Sequence, residues 1–273
     1  MNFLDIKKLF FPFLTLSLMV FFSIYTIFFS ENEQREDNEH TLKVGLNSGY
    51  PPYEMLNQKG ELEGFDIDIA NALGKKLGKK VFIKDMAFDA LIMELQQGKL
   101  DLIISGMSIT PQRLEKISMI HYQGQPLTEL SLIFWKTIPQ GISSLSDIKN
   151  YPNAFICVQA GSLQEAAMLF YPTIQLRYLD VPQMPIDLMY GKSFAALLEN
   201  PAADDIALKQ PDIKVVRVKL PPEMQAQGNG IAIHKKQTAL TQQVTQAIEE
   251  LKQDGTITTL EKKWFKESKN VTQ

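Results

Sequence analysis

The run FDALIMELQQGKLDLIISGMSITPQR, from Phe88 to Arg113, carries the pattern that settles the fold class. Its first part, FDALIMELQQ, reads as a helix stopped by Gly98, and LDLIIS reads as a strand that opens into the small and hydroxyl residues of SGMSITPQR. Upstream, LKVGLN (Leu42 to Asn47) reads as a first strand, GYPPYEM breaks it, and QKGELEG resembles a hairpin turn. Phe65, Ile69, Ala70, Leu73 and Leu77 then share one face of a helix from about Asp66 to Leu77, with Gly78 as its C-cap. KKVFIKD is the second strand. This β-α-β-α-β order predicts an α/β protein with mainly parallel sheets flanked by helices.

Downstream, LSLIFWK is a further strand and FICVQAGS a strand running into a Gly-Ser turn and a helix, so a second lobe is expected from Thr128. RYL, a helix through Met189, AALLE, the helix-like PAADDIALKQ and the strand VVRVKL follow. GNGIAIHKK and two closing helices, TALTQQVTQAIEELKQDG and TITTLEKKWFKES, return the chain to the first lobe. The 273 residues are 45% hydrophobic and 22% charged, an ordinary globular balance that excludes a disordered or collagen-like chain. With 28 basic against 31 acidic residues, no global field draws the chain to nucleic acid. The single Cys157 allows neither an internal disulfide nor a cysteine-built zinc site.

The N-terminus places the chain outside the cytoplasm. Lys7 and Lys8 precede a stretch without charge from Leu9 to Ser30, long enough to cross a bilayer, and ENEQREDNE follows it. Residues 1–30 are expected to be a signal peptide or signal anchor, with 31–40 an acidic linker. Phe28, Phe29 and Ser30 offer no small-x-small cleavage site, so an uncleaved hydrophobic anchor helix in the inner membrane is favoured.

Two strand-to-helix turns carry the chemistry, SGMSITPQR (Ser105 to Arg113) and QAGSLQEA (Gln159 to Ala166). Backbone N–H groups at such turns are free to receive an anion, and Ser108, Thr110 and the planar fork of Arg113 suit a carboxylate. On these residues alone, simple helix capping with a solvated Arg113 stands beside that reading.

Several segments together resemble the family 3 extracellular solute-binding proteins, which serve polar amino-acid ABC transporters. They are LKVGLNSGYPPYE, GFDIDIANALGKKLG, FDALIMELQQGKLDLIISGMSITPQR, QAGSLQEA, AALLE and ELKQDGTITTLEKKW. The resemblance runs from Thr41 to Phe265 and implies a two-lobed type II periplasmic-binding-protein fold with two hinge crossovers. Lobe 1 would be 41–127 plus 228–268 and lobe 2 would be 128–227, with crossovers near Gln125 to Glu129 and Gln225 to Gly228. By position, Arg113 would pair with a ligand α-carboxylate, helped by N–H groups at Ser108 and Leu163, while Ser108 and Glu199 would hold the α-ammonium. Glu199 stands where the family more often has aspartate. Asn47, Tyr50 and Phe88 match the side-chain pocket, Gln164 approaches from the second lobe, and Ser105 and Gly106 are counted among the ligand-binding residues.

Asp66 and Asp68 are read as helix caps rather than as a metal or acid/base pair. His40, His121 and His234 lie far apart, Gly228 to Gly230 suits a hinge strand, and Lys262 and Lys263 suit a solvated helix face. The expectation is a monomeric, cofactor-free binding protein in the periplasm or other extracytoplasmic space, handing a polar amino acid to ABC permease subunits. Arginine or glutamine is placed ahead of lysine because Asn47 offers no counter-charge. Its rivals, a sensor module and a dehydratase on the same scaffold, are disfavoured. Only eight residues precede the apolar stretch or follow Phe265, and no histidine lies in the matched segments.

Overall fold

The computed structural model describes residues 40–265. The expected signal segment and all but the last residue of the linker fall outside that range. Among the described residues, no helix is long and apolar enough to cross a membrane.

Twelve strands follow one another along these residues. They are β1 (Thr41–Leu46), β2 (Met55–Leu56), β3 (Leu62–Glu63), β4 (Lys80–Asp85), β5 (Leu102–Ile103) and β6 (Ser118–Gln123). After these come β7 (Glu129–Trp135), β8 (Phe155–Val158), β9 (Gln175–Tyr178), β10 (Ala195–Leu198), β11 (Ile213–Lys219) and β12 (Asn229–Ile233). They form two five-stranded sheets, ordered β4-β1-β5-β12-β6 and β11-β7-β10-β8-β9, each the centre of one α/β lobe, and β2 and β3 make a small hairpin. The β-α-β units give the parallel pairs β1·β5, β8·β9 and β8·β10. The sheets are nevertheless mixed, because β12 pairs antiparallel with β5 and β6, and β7 antiparallel with β10 and β11. β7 and β12 are the first strands after the chain has changed sheets, so no crossover helix within their own sheet obliges them to run parallel. The two passages between the sheets bond to each other: Leu127 N–H donates to the Ala226 carbonyl (2.8 Å) and Ala226 N–H to the Leu127 carbonyl (3.2 Å).

Burial follows the sheet order. β10 lies at the centre of its sheet and is buried along its whole length, as an apolar AALL run requires. Leu130, Leu132, Phe134, Ile156, Val158 and Leu197 build the core there, each contributing about 1.5–3 kcal/mol by leaving water. In the other lobe, Leu91, Leu95, Ile103, Met107 and Ile117 do the same.

The helix Phe65–Leu77 buries Phe65, Ile69 and Leu73, one residue per turn, and ends on Gly78 in the left-handed conformation (φ 64°). Asp66 does not cap it. The N-cap is Gly64, and the Asp66 carboxylate turns inward to accept the Gly106 N–H and the Tyr122 hydroxyl, both at 2.6 Å. Asp68 turns outward and accepts from Lys263 Nζ and Trp264 Nε1, both at 2.7 Å, which ties the helix Thr256–Trp264 down while Lys262 and Lys263 stay on its exposed face. The expected helix FDALIMELQQ is also shorter: Phe88–Ala90 is a 3-10 turn, and the α-helix covers Leu91–Gln96.

Candidate ligand-binding site

The first wall of the site descends from β5. Beyond Ile103 the chain runs through Ser105 and Gly106, which approaches the Tyr50 and Tyr53 rings so closely that a Cβ there would sit 3.2 Å from Tyr50. Ser108 bridges to Asn229, and Thr110 caps the helix Pro111–Lys116 by accepting from Arg113 N–H (3.2 Å). The capping reading therefore holds for Thr110. It fails for Arg113, whose side chain is buried instead of solvated. Its Nη1 donates to the Ser108 carbonyl (2.7 Å) and its Nη2 to the Gly161 carbonyl (3.1 Å), and its guanidinium carbon stands 5.6 Å from the centre of the Phe88 ring. Burial pulls its pKa down to about 10, against the pull of the Glu199 charge, so it stays protonated at neutral pH.

The facing wall comes from the other sheet. Glu199 follows β10 directly and begins the helix Asn200–Lys209 without capping it. Its Oε1 instead accepts the Ser108 hydroxyl at 2.5 Å. Burial raises its pKa to about 7, opposed by the Ser108 bond and by Arg113. Ser162 caps the helix Leu163–Met168 by accepting from Glu165 N–H (3.1 Å), and that turn sets the buried Leu163 and Gln164 toward the same space. Gln159 Nε2 reaches over to Asn47 Oδ1 (2.7 Å), while Asn47 Nδ2 donates to the Met86 carbonyl (2.8 Å). Tyr50 stacks on Tyr53, with ring centres 5.7 Å apart, and borders the cavity.

Asn47, Tyr50, Phe88, Ser105, Gly106, Ser108, Arg113, Leu163, Gln164 and Glu199 thus all border one cavity, joined by Glu54, Gln159 and Ser162, which the sequence reading left out. Gln159 and Ser162 sat inside the quoted turn QAGSLQEA, and Glu54 at the end of GYPPYE; no local signal separated them from their neighbours. The space is about 10 Å³, room for one water molecule. The Gln159–Asn47, Ser108–Glu199 and Arg113–Gly161 hydrogen bonds join its two walls. What the cavity offers is a buried cationic fork, two buried carboxyls and two aromatic rings. Among the described residues, no group of three or more His, Cys, Asp or Glu side chains is arranged to hold a metal ion.

Comparison with known proteins gives a concordant picture. A family model described as bacterial extracellular solute-binding proteins, family 3, matches residues 42–267. A probable ABC transporter arginine-binding protein of Chlamydia trachomatis, ArtJ, is 35% identical over 233 residues, covering 85% of this chain and 88% of that protein. The structure of an ancestral arginine-binding protein bound to arginine superposes with a TM-score of 0.75 at 31% identity, covering 83% of this chain and 99% of the other. An ancestral arginine-binding protein bound to glutamine superposes with a TM-score of 0.74 at 31% identity and 83% and 98% coverage. These relatives are solute-binding proteins, not enzymes.

Proposed function

The chain belongs to the family 3 bacterial extracellular solute-binding proteins, and from that premise we propose that it captures a polar amino acid, arginine first, and delivers it to the permease subunits of an ABC transporter. The observation that carries this reading is the pairing of a buried Arg113 with a buried Glu199 on opposite walls of one cavity. A free α-amino acid presents a carboxylate and an ammonium a few bonds apart, and this pair complements both. Arg113 takes the carboxylate; Glu199 and Ser108 take the ammonium. The ligand side chain then extends between Tyr50 and Phe88 toward Asn47 and Gln164, where a flat guanidinium stacks well. Glutamine is the second reading, favoured by the neutral amide of Asn47 and by the glutamine-bound ancestral protein.

In this reading lobe 1 is 41–127 with 228–268, lobe 2 is 128–227, and the two paired passages at Leu127 and Ala226 act as the hinge. The protein works outside the cytoplasm, tethered through Leu9 to Ser30. A thermal-shift screen of the twenty amino acids followed by calorimetric titration tests the ligand. A dominant response to lysine, to an acidic or to an aliphatic amino acid overturns it.

A further inference from the structure

A contact just outside the cavity has no role in the arrangement above. Gly49 (φ 105°), in the turn after β1, faces Pro182 so closely that an added Cβ would sit 2.6 Å from the ring Cγ and 3.1 Å from Cδ. Pro182 belongs to the 3-10 turn Val181–Gln183 that follows β9, so this contact, like the Gln159–Asn47 bond, joins the lobe of one sheet to the lobe of the other. Both partners are held in place. Ser48 donates to Asp85 through its N–H (2.8 Å) and through its hydroxyl, and the N–H groups of Gly49 and Tyr50 both donate to the Glu54 carbonyl, at 3.0 and 2.8 Å. Across the gap, Leu179 N–H donates to the Val158 carbonyl (3.1 Å), Gln183 N–H to the Asp180 carbonyl (2.9 Å), and the buried Val181 seats the turn. Asn47 and Tyr50 border the cavity, and Gly49 lies between them in the chain.

We propose that Gly49 and Pro182 form a size gate at the side-chain end of the cavity, one that admits arginine and rejects arginine substituted on its terminal nitrogens. The inference rests on the arginine reading of the site. With the α-groups held by Arg113 and Glu199, an extended side chain ends beside Asn47 and Tyr50, and a group added beyond that end is directed at the contact between Gly49 and Pro182. Most side-chain contacts yield by rotation. This one does not, because glycine has no side chain to swing aside and the proline ring has no free torsion. The hydrogen bonds on either side keep the two backbones from giving way instead. An added methyl is housed only by moving the walls apart, against the Gln159–Asn47 bond beside it, and overpacking of this kind weakens binding about 10- to 200-fold.

The test is calorimetric titration of the full chain with arginine and with symmetric dimethylarginine, which keeps the charge and adds one methyl to each terminal nitrogen. The unmodified chain should bind the dimethylated ligand about 10- to 200-fold more weakly than arginine. Pro182→Ala removes the two ring atoms that face Gly49 and should narrow that ratio about tenfold. Equal affinities in the unmodified chain overturn the gate whether or not the variant folds. An unchanged ratio in a folded variant overturns it too, since a contact that only holds the lobes together serves both ligands alike. A chain that does not bind arginine at all overturns the proposed function, and this inference with it.

Discussion

Replacing Arg113 with lysine keeps the charge and removes the fork. In the folded chain one nitrogen of the guanidinium holds the Ser108 carbonyl at 2.7 Å while the other reaches the Gly161 carbonyl at 3.1 Å, and the group lies 5.6 Å from the centre of Phe88. A ligand carboxylate would take over the Gly161 contact as a charge-assisted bond while the Ser108 contact keeps the group in place. A lysine ammonium is one point on a flexible stem and cannot serve both in parallel. Losing one charge-assisted hydrogen bond costs about 1.5–3 kcal/mol, and the weaker contact with Phe88 adds about 0.5–1 kcal/mol. The sum, about 2–4 kcal/mol, corresponds to a rise in Kd of about 30- to 700-fold. Calorimetric titration with arginine measures it directly. Thermal unfolding without ligand, run beside it, separates lost binding from lost folding. An affinity within about threefold of the unmodified chain, roughly 0.6 kcal/mol, would refute the assignment of Arg113 to the carboxylate.

The folded-state pKa of Glu199, about 7, lies above its ordinary 4.5, so between those values the native state holds more protons than the unfolded chain and stability falls as pH rises. The loss is absent below the lower value and complete above the upper, roughly 3 kcal/mol in all; Asp66, raised to about 6, acts with the same sign. Thermal unfolding from pH 4 to 8 should show this decline, and Glu199→Gln should flatten its upper part. At Gly161 (φ 73°) an added Cβ would meet Asp89 Cα at 2.9 Å, so Gly161→Ala should hold the facing walls apart and weaken arginine binding by about 1–3 kcal/mol. Full affinity in that variant would mean that the closed arrangement is not the binding one. Ligand should also reduce the radius of gyration of the unmodified chain in small-angle scattering, and an unchanged profile at saturation would count against hinge closure. N-terminal sequencing of the protein from its native host should give a start before residue 31, and a start at or beyond it would defeat the anchor.

The order of strands and helices was legible in the residues themselves. A helix must repeat its apolar face each turn, and Phe65, Ile69 and Leu73 do so; Gly78 reads as a stop because its positive φ is open to glycine. These are constraints between near neighbours, which a linear text displays. Ser108 and Arg113 could be singled out for the same reason, since a strand end, a cap and a helix lie within a few residues of one another. What the tertiary structure alone decided is which distant groups meet. Gln159 finds Asn47 across 112 positions and Ser108 finds Glu199 across 91. Asp66 stands at a helix start, a place that argued for capping, yet it accepts from Gly106 and Tyr122, which only folding brings to it. The mixed sheets have the same origin, because a strand's direction depends on the lobe from which the chain last came. A carboxylate takes the donors that surround it after folding, and burial then sets its charge; neither quantity is written in the residues beside it.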